Sequence, residues 1–457
     1  MRYFVFEHTL RIHFSHTINS IVGRCIFLDK YIIDGGVPLR GEYRIRGAKN
    51  SALPIMAATV CKAGIYELYD CPRIGDVFAM EEILQSLGAG TRWKDSCIVI
   101  DSRNISESKI SKEMMQGMRS SVFLLGSLLT RCGEACIYKP GGCRIGKRPI
   151  DIHINGLDEL GFEVESMGEE VRCKGRCCGG TVTLPYPSVG ATENLIMAAL
   201  GGGDDTIIKN CATEPEIVDF ASFLKTCGFQ VHGAGSDTIF IKGGECLHRQ
   251  DTMYFIMEDR IEAATYMMAV AGTGGKATFR NIRPEVLKSV INVLERMGTS
   301  IKSYENIMEV NAPRKLKSPG FVVTQPYPGF PTDCQPQLMT LLTCAEGLCT
   351  IREEIFESRF THKKELVKMG ANIEICGKNA IIKGVSFLSG AEVAALDLRG
   401  GAALTLAGLM AQGRSEIKHI EHISRGYEDF DKGIRSLGGL IERKKDEEQE
   451  KKNKPVC

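Results

Sequence analysis

A two-residue signature, an apolar side chain or cysteine followed by glycine, closes an amphipathic stretch six times along this chain. It occurs at Leu87-Gly88, Leu160-Gly161, Cys227-Gly228, Met297-Gly298, Met369-Gly370 and Leu437-Gly438. Successive marker glycines lie 73, 67, 70, 72 and 68 residues apart, so six similar units account for nearly all of the 457 residues. A period of this length makes each unit one supersecondary block that must bury its apolar face against its neighbours. A single core stops growing near ~250–300 residues. Six units therefore divide into two groups of three.

Each unit reads in the same order. A helix rich in Ala, Leu, Met and Gly opens it, at residues 51–60, 120–129, 191–200, 261–271, 335–345 and 401–411. Gly or a polar pair leads into a strand, as in Gly64-Ile-Tyr-Glu-Leu, Gly275-Lys-Ala-Thr-Phe and Gly413-Arg-Ser-Glu-Ile-Lys. A second helix then ends at the marker glycine, which can take the left-handed conformation of a C-terminal cap. Two short strands close the unit, for example Phe229-Gln-Val-His and Thr238-Ile-Phe-Ile. Small residues in the opening helices let backbones approach closely, so these helices are expected to be buried together. The predicted fold is α/β, an inverted barrel in two domains with helices inside and strands outside. Residues 49–257 form the first three-repeat domain, and 28–48 with 258–445 form the second. Residues 1–27 are an extension without the apolar core of a signal peptide, and 446–457 a charged tail.

Composition narrows the function. The net charge is +1, from 57 Lys+Arg against 56 Asp+Glu, so any anion recognition is local and a nucleic-acid partner is not expected. No apolar run reaches the ~18 residues of a membrane span. The 18 cysteines are scattered without a CxxC pair, which argues against a structural metal and for buried thiols in a reducing cytosol. Neither a metal nor a cofactor is expected.

The helix starts carry the chemistry. In this order each opening helix aims its N-terminus, with partial positive charge and free N–H groups, at one end of its domain. Lys49, Arg119, Arg260 and Arg399 fall at four of the six openings, and their recurrence points to shared work on an anion. In unit two, Lys139-Pro-Gly-Gly-Cys143-Arg-Ile-Gly-Lys-Arg148-Pro-Ile-Asp151-Ile-His153 is a glycine-rich loop. Cys143 lies among Arg144, Lys147 and Arg148, a field that lowers a thiol pKa and marks a reactive cysteine. A loop of this composition suits a lid that closes over a site and excludes water.

The chain from about residue 28 to 445 resembles the enolpyruvyl transferase family, in the branch acting on UDP-N-acetylglucosamine. The resemblance is carried by GAKN at residues 47–50, PGGCxIGxRPxDxH at 140–153, SVGAT at 188–192, EPEIVD at 214–219, FPTD at 330–333 and RGYE at 425–428. The shikimate-pathway branch shares the six-fold repeat but lacks the cysteine loop. The resemblance implies a cytosolic bacterial enzyme for the first committed step of peptidoglycan precursor synthesis, inactivated by the epoxide fosfomycin. It would move the enolpyruvyl group of phosphoenolpyruvate to the 3′-hydroxyl of UDP-N-acetylglucosamine by addition and elimination, as a monomer on two small molecules.

Carried onto this sequence, the resemblance gives Lys49, Arg148 and Arg425 to phosphoenolpyruvate. Arg119 and the segment Arg148, Pro149, Ile150, Asp151 and Ile152 face the nucleotide sugar. Arg359 and Arg399 complete the anion clamp, Asp333 is the base for the 3′-hydroxyl, and Asn50 holds the sugar. Tyr186, Pro187, Ser188, Val189 and Ile355 line the uridine and sugar site. Cys143 is either the general acid to C-3 or a nucleophile, and the sequence does not separate the two. The chain departs from the family pattern at Arg46, commonly Ser, and at Tyr186, frequently Lys.

Overall fold

The computed structural model describes residues 29–139, 145–146, 149–244 and 251–446. Its opening helices are α1 (Lys49–Ala58), α2 (Leu124–Cys132), α3 (Val189–Ala199), α4 (Arg260–Gly272), α5 (Gln335–Leu342) and α6 (Leu398–Met410). Nearly every side chain of α4 and α6 is buried, including those at their polar first turns. A helix buried on all sides needs small or apolar residues on all sides, which is why these segments lack a polar stripe. Close packing explains the glycine content too. A Cβ at Gly126 of α2 would stand 2.1 Å from the carbonyl oxygen of Asn194 in α3.

The marker glycines do what their position suggests. All six take left-handed φ values, between 80° and 105°, at the ends of the second helices. Among the described residues, five four-stranded sheets and one three-stranded sheet stand outside the helices. In unit one, Ile65–Tyr69 runs parallel to Asp251–Phe255 on one side and antiparallel to Cys97–Asp101 on the other, and Gly90–Lys94 completes the hairpin. Unit two has a single parallel bridge, Lys109 to Cys136, where the other sheets carry a fourth strand. Unit six is closed by the start of the described chain: β1 (Asp29–Asp34) pairs antiparallel with both Arg414–Lys418 and Leu440–Lys445. In unit four, β2 (Arg40–Arg44) supplies the parallel strand beside Lys276–Arg280.

Two separate apolar cores result. One draws its residues from Ala52 to Ile256, the other from Tyr31 to Ala48 and from Met257 to Ile441. The chain passes between them twice, and the two crossings lie side by side: the Ala48 amide donates to the Met257 carbonyl at 2.7 Å, and Asp259 donates to Arg46 at 2.8 Å. Gly47 sits in this seam with its Cα so close to Asp70 that a Cβ would fall 1.8 Å from that carbonyl oxygen. The crossing therefore requires glycine just before Lys49.

Two local expectations shift. The opening of unit two begins as a 3-10 turn, Arg119–Phe123, and becomes α-helical only at Leu124. The Ser121 hydroxyl donates back to the Met118 carbonyl at 2.5 Å, a local bond that competes with regular helix. The strand expected at 229–232 is reduced to Val231–His232, held between Gly228 and Gly233, both at positive φ.

Candidate active site

The seam positions the first charged cluster. Asp259 caps α4 by accepting from the amides of Ile261 and Glu262, at 2.8 and 2.9 Å, and its other oxygen accepts from the Lys49 amide at 3.2 Å. This fixes the start of α1 against the start of α4. The Lys49 ammonium lies 2.5 Å from Asp76, whose other oxygen accepts from Arg425 Nε at 2.8 Å. Lys49 and Asp76 stand on helices whose apolar side chains pack into the first core, and Arg425 lies between Ile423 and Tyr427 of the second, so Asp76 ties the halves together through two cations. Burial pushes the Lys49 ammonium down and Asp76 pulls it back, with Arg399 and Arg425 opposing. Burial also pushes the Asp76 carboxyl up, but Lys49 and Arg425 outweigh it and hold it below its ordinary value.

A second cluster surrounds Asp333, in the 3-10 turn Thr332–Cys334 before α5. Arg359 Nη2 reaches one oxygen at 2.7 Å and Arg399 Nη2 the other at 3.1 Å. Both arginines are buried, 2% and 3% exposed, so these pairs are far from the solvent-screened kind. Arg399 is the second residue of α6, capped by Asp397, and its guanidinium lies 5.3 Å over the Tyr427 ring. Among the described residues, its Nε and Nη1 are buried with no hydrogen-bond partner. Unsatisfied buried donors are costly, and on a guanidinium they suit an arriving anion. Burial pushes the Asp333 carboxyl up, yet Arg399, Arg359 and Lys49 together hold it well below the usual range.

The two clusters share one field, because Lys49 feels Arg399 and Asp333 feels Lys49. Four cations (Lys49, Arg359, Arg399, Arg425) gather around two carboxylates (Asp76, Asp333), with Asp259 also acting on Arg399. Sequence reasoning placed the cations and Asp333 and missed Asp76. Its position in the first turn of a second helix, Gly75–Ser86, is the signal that could have found it. Arg260, grouped on sequence with the other helix-start cations, does different work. Its guanidinium is spent on Glu216 at 2.9 Å, with both groups buried. Cys143 and Arg148 lie outside the described residues.

A neighbouring surface gathers the residues assigned to the nucleotide sugar. Ser188 caps α3 by accepting from the Ala191 amide at 3.4 Å, and Val189 is the first helical residue after it. Pro149 and Ile150 lead into the helix Asp151–Glu159, in which Asp151 and Ile152 are the first two residues. His153, next along, touches Gly190 and is pushed down to about 3 by burial and the nearby Arg119 charge. Asn194 meets its Nδ1 at 3.0 Å while accepting from the Gly126 amide at 2.6 Å. Arg119, residues 150–153 and the start of α3 therefore adjoin.

From the other half, Ile355 donates its amide at 2.9 Å to Glu353, a buried acid that also accepts from the Thr332 hydroxyl at 3.1 Å. Glu353 was another residue the sequence did not reveal. It fixes the Ile355 turn beside Asp333. Burial, Glu214 and Glu353 together raise the phenol of Tyr186. Ile145, two residues past Cys143, reaches the same segment, accepting from the Ser358 amide at 3.0 Å. Asn50 is the second residue of α1, half-buried. Among the described residues no group of three or more His, Cys, Asp or Glu is arranged to hold a metal ion, and no helix is long and apolar enough to cross a membrane.

Known proteins match this architecture along almost its whole length. The family described as EPSP synthase (3-phosphoshikimate 1-carboxyvinyltransferase) matches residues 33–434. A UDP-N-acetylglucosamine 1-carboxyvinyltransferase 2 of Caldanaerobacter subterraneus subsp. tengcongensis is 45% identical over 417 residues, 91% of this chain and 100% of the relative. The chain is a UDP-N-acetylglucosamine 1-carboxyvinyltransferase-type member of the enolpyruvyl transferase family. A further relative of that branch, from Thermotoga petrophila, is 43% identical across 91% of this chain and 99% of its own. Among solved structures, the enolpyruvyl transferase NikO from Streptomyces tendae superposes with a TM-score of 0.82 at 22% identity, covering 92% of this chain and 99% of that one. EPSP synthase from Acinetobacter baumannii gives 0.70 at 20% identity, covering 91% and 100%. These two share the fold.

Proposed function

We propose that this enolpyruvyl transferase moves the enolpyruvyl group of phosphoenolpyruvate onto the 3′-hydroxyl of UDP-N-acetylglucosamine and releases phosphate, in the cytosol and as a monomer. The carrying observation is the pair of clusters just described, four gathered cations with, among the described residues, buried guanidinium donors of Arg399 that have no hydrogen-bond partner. A phosphate group brings roughly −1.5 to −2 at neutral pH, and phosphoenolpyruvate adds a carboxylate, so such a ligand needs several cations of this kind. The two cores are read as two three-repeat domains, 49–257 and 28–48 with 258–445, that meet around the substrates.

In this reading Lys49, Arg148 and Arg425 hold phosphoenolpyruvate, with Arg359 and Arg399 completing the clamp. Arg119, residues 148–152 and residues 186–189 hold the nucleotide sugar with Ile355, and Asn50 takes a sugar contact. Asp333 removes the 3′-hydroxyl proton as the oxygen bonds to C-2 of phosphoenolpyruvate, while Cys143 serves the proton added at C-3. Loss of phosphate and of a C-3 proton then restores the double bond. Two guanidiniums make Asp333 a weak base as the structure stands. An anion competing for Arg359 and Arg399 loosens that grip and raises its basicity, so the proton leaves once both substrates are in place.

Phosphate release from phosphoenolpyruvate should require UDP-N-acetylglucosamine and should not occur with shikimate 3-phosphate as acceptor. Fosfomycin should inactivate the enzyme, and Cys143→Asp should turn over while escaping inactivation. Release with the shikimate acceptor alone, or equal inactivation of the variant, would refute the assignment.

A further inference from the structure

The RGYE segment, residues 425–428, crosses the gap between the halves by more than Arg425. One oxygen of Glu428 accepts from the backbone amide of Arg73 at 2.7 Å, and the other lies 3.4 Å from Arg46 Nη1. The same Arg46 nitrogen donates to the Glu428 carbonyl. Arg73 stands just ahead of the helix that bears Asp76, and its guanidinium is anchored on the first half, 4.8 Å over Trp93 and 3.1 Å from the Asp95 carbonyl. Arg46 lies on the crossing strand, where its amide donates to buried Glu262 of α4 at 2.8 Å. Gly75, between Arg73 and Asp76, packs against the Arg425 backbone, with its would-be Cβ 3.4 Å from that Cα. The stretch from Arg73 to Asp76 thus receives the segment at three points. Glu428 supplies one, Gly75 the second and the Arg425–Asp76 pair the third.

We infer that Glu428 is a positioning residue: by clasping the Arg73 amide and Arg46, it holds the Arg425 loop against the first half and sets the Lys49–Asp76–Arg425 geometry. The Arg425 side chain is 40% exposed, and the Glu428 carboxylate three residues on anchors the backbone that carries it to the Arg73 amide. The inference rests on the reading that Arg425 meets phosphoenolpyruvate, and it deepens that reading.

The experiment compares Glu428→Ala, Glu428→Gln and Arg46→Ser in the full chain. Loss of a charge-assisted contact pair should raise KM for phosphoenolpyruvate about ten-fold in Glu428→Ala, leaving KM for UDP-N-acetylglucosamine within two-fold. Glu428→Gln keeps an oxygen for the Arg73 amide and should recover part of the loss. Combining it with Arg46→Ser should cost less than the sum of the two single changes, since both delete the same ion pair and only the Arg46 bond to the Glu428 carbonyl is lost in addition. Hydrogen exchange of substrate-free protein reads the clasp independently: the Arg73 amide should exchange faster in Glu428→Ala and stay protected in Glu428→Gln. Faster exchange with no selective change in KM would discard Arg425's assignment and keep the clasp. Unchanged exchange at Arg73, or both KM values rising together with a falling Tm, would overturn the inference.

Discussion

Replacing Asp76 with Asn tests the charge arrangement most directly. The substitution keeps the shape and removes the negative charge shared by Lys49 at 2.5 Å and Arg425 at 2.8 Å. Two unit charges at about 4 Å interact by roughly 4 kcal/mol at an effective dielectric near 20. Burial and two neighbouring guanidiniums already push the ammonium down, and Asp76 is the group pulling it up. Without Asp76, Lys49 loses its proton at a lower pH. The basic limb of kcat/KM for phosphoenolpyruvate should therefore move toward acid, read from phosphate release between pH 5.5 and 10. Adding Lys49→Arg supplies a cation that does not titrate in this range, so the double variant should lose the shifted limb. A profile lowered uniformly, with its basic limb where wild type has it, would show that Asp76 does not control Lys49.

Two further outcomes follow from the same contacts. Asp333→Asn leaves buried Arg359 and Arg399 without their carboxylate, at a cost of about 3–5 kcal/mol. The wild-type carboxyl is held below its ordinary 3.8, so its contribution is complete above that pH and lost as the pH falls through the folded value. Thermal denaturation should show a Tm gap that is widest above pH 4 and closes below it, and a gap independent of pH would contradict the ion-pair account. In the first core, Gly126→Val drives a side chain into the Asn194 carbonyl, 2.1 Å from the first added carbon. Overpacking of this kind costs about 1–3 kcal/mol, and a Tm unchanged from wild type would refute the close approach of α2 and α3.

Much of the architecture was legible because it repeats. The six Gly markers report a local backbone requirement, a left-handed cap, that no tertiary contact is needed to express. Helices without a polar stripe announced burial on every side, and the recurring cations at Lys49, Arg119 and Arg399 announced an anion. Arg260 belonged to the same pattern and misled, since its partner Glu216 is 44 residues away and becomes a neighbour only when α4 and the second helix of unit three meet. Asp76 and Arg425 are 349 residues apart, and Glu428 and Arg73 are 355. Neither pair leaves a trace in local composition.

Periodicity, turn chemistry and the clustering of basic residues around Cys143 are short-range properties, and the amino-acid order carries them outright. Which cation is free to meet a ligand, and which is already neutralised, depends on carboxylates brought from other units when the chain crosses twice between its cores. Charge acts through space and not along the backbone, so that division of labour was decided only by folding.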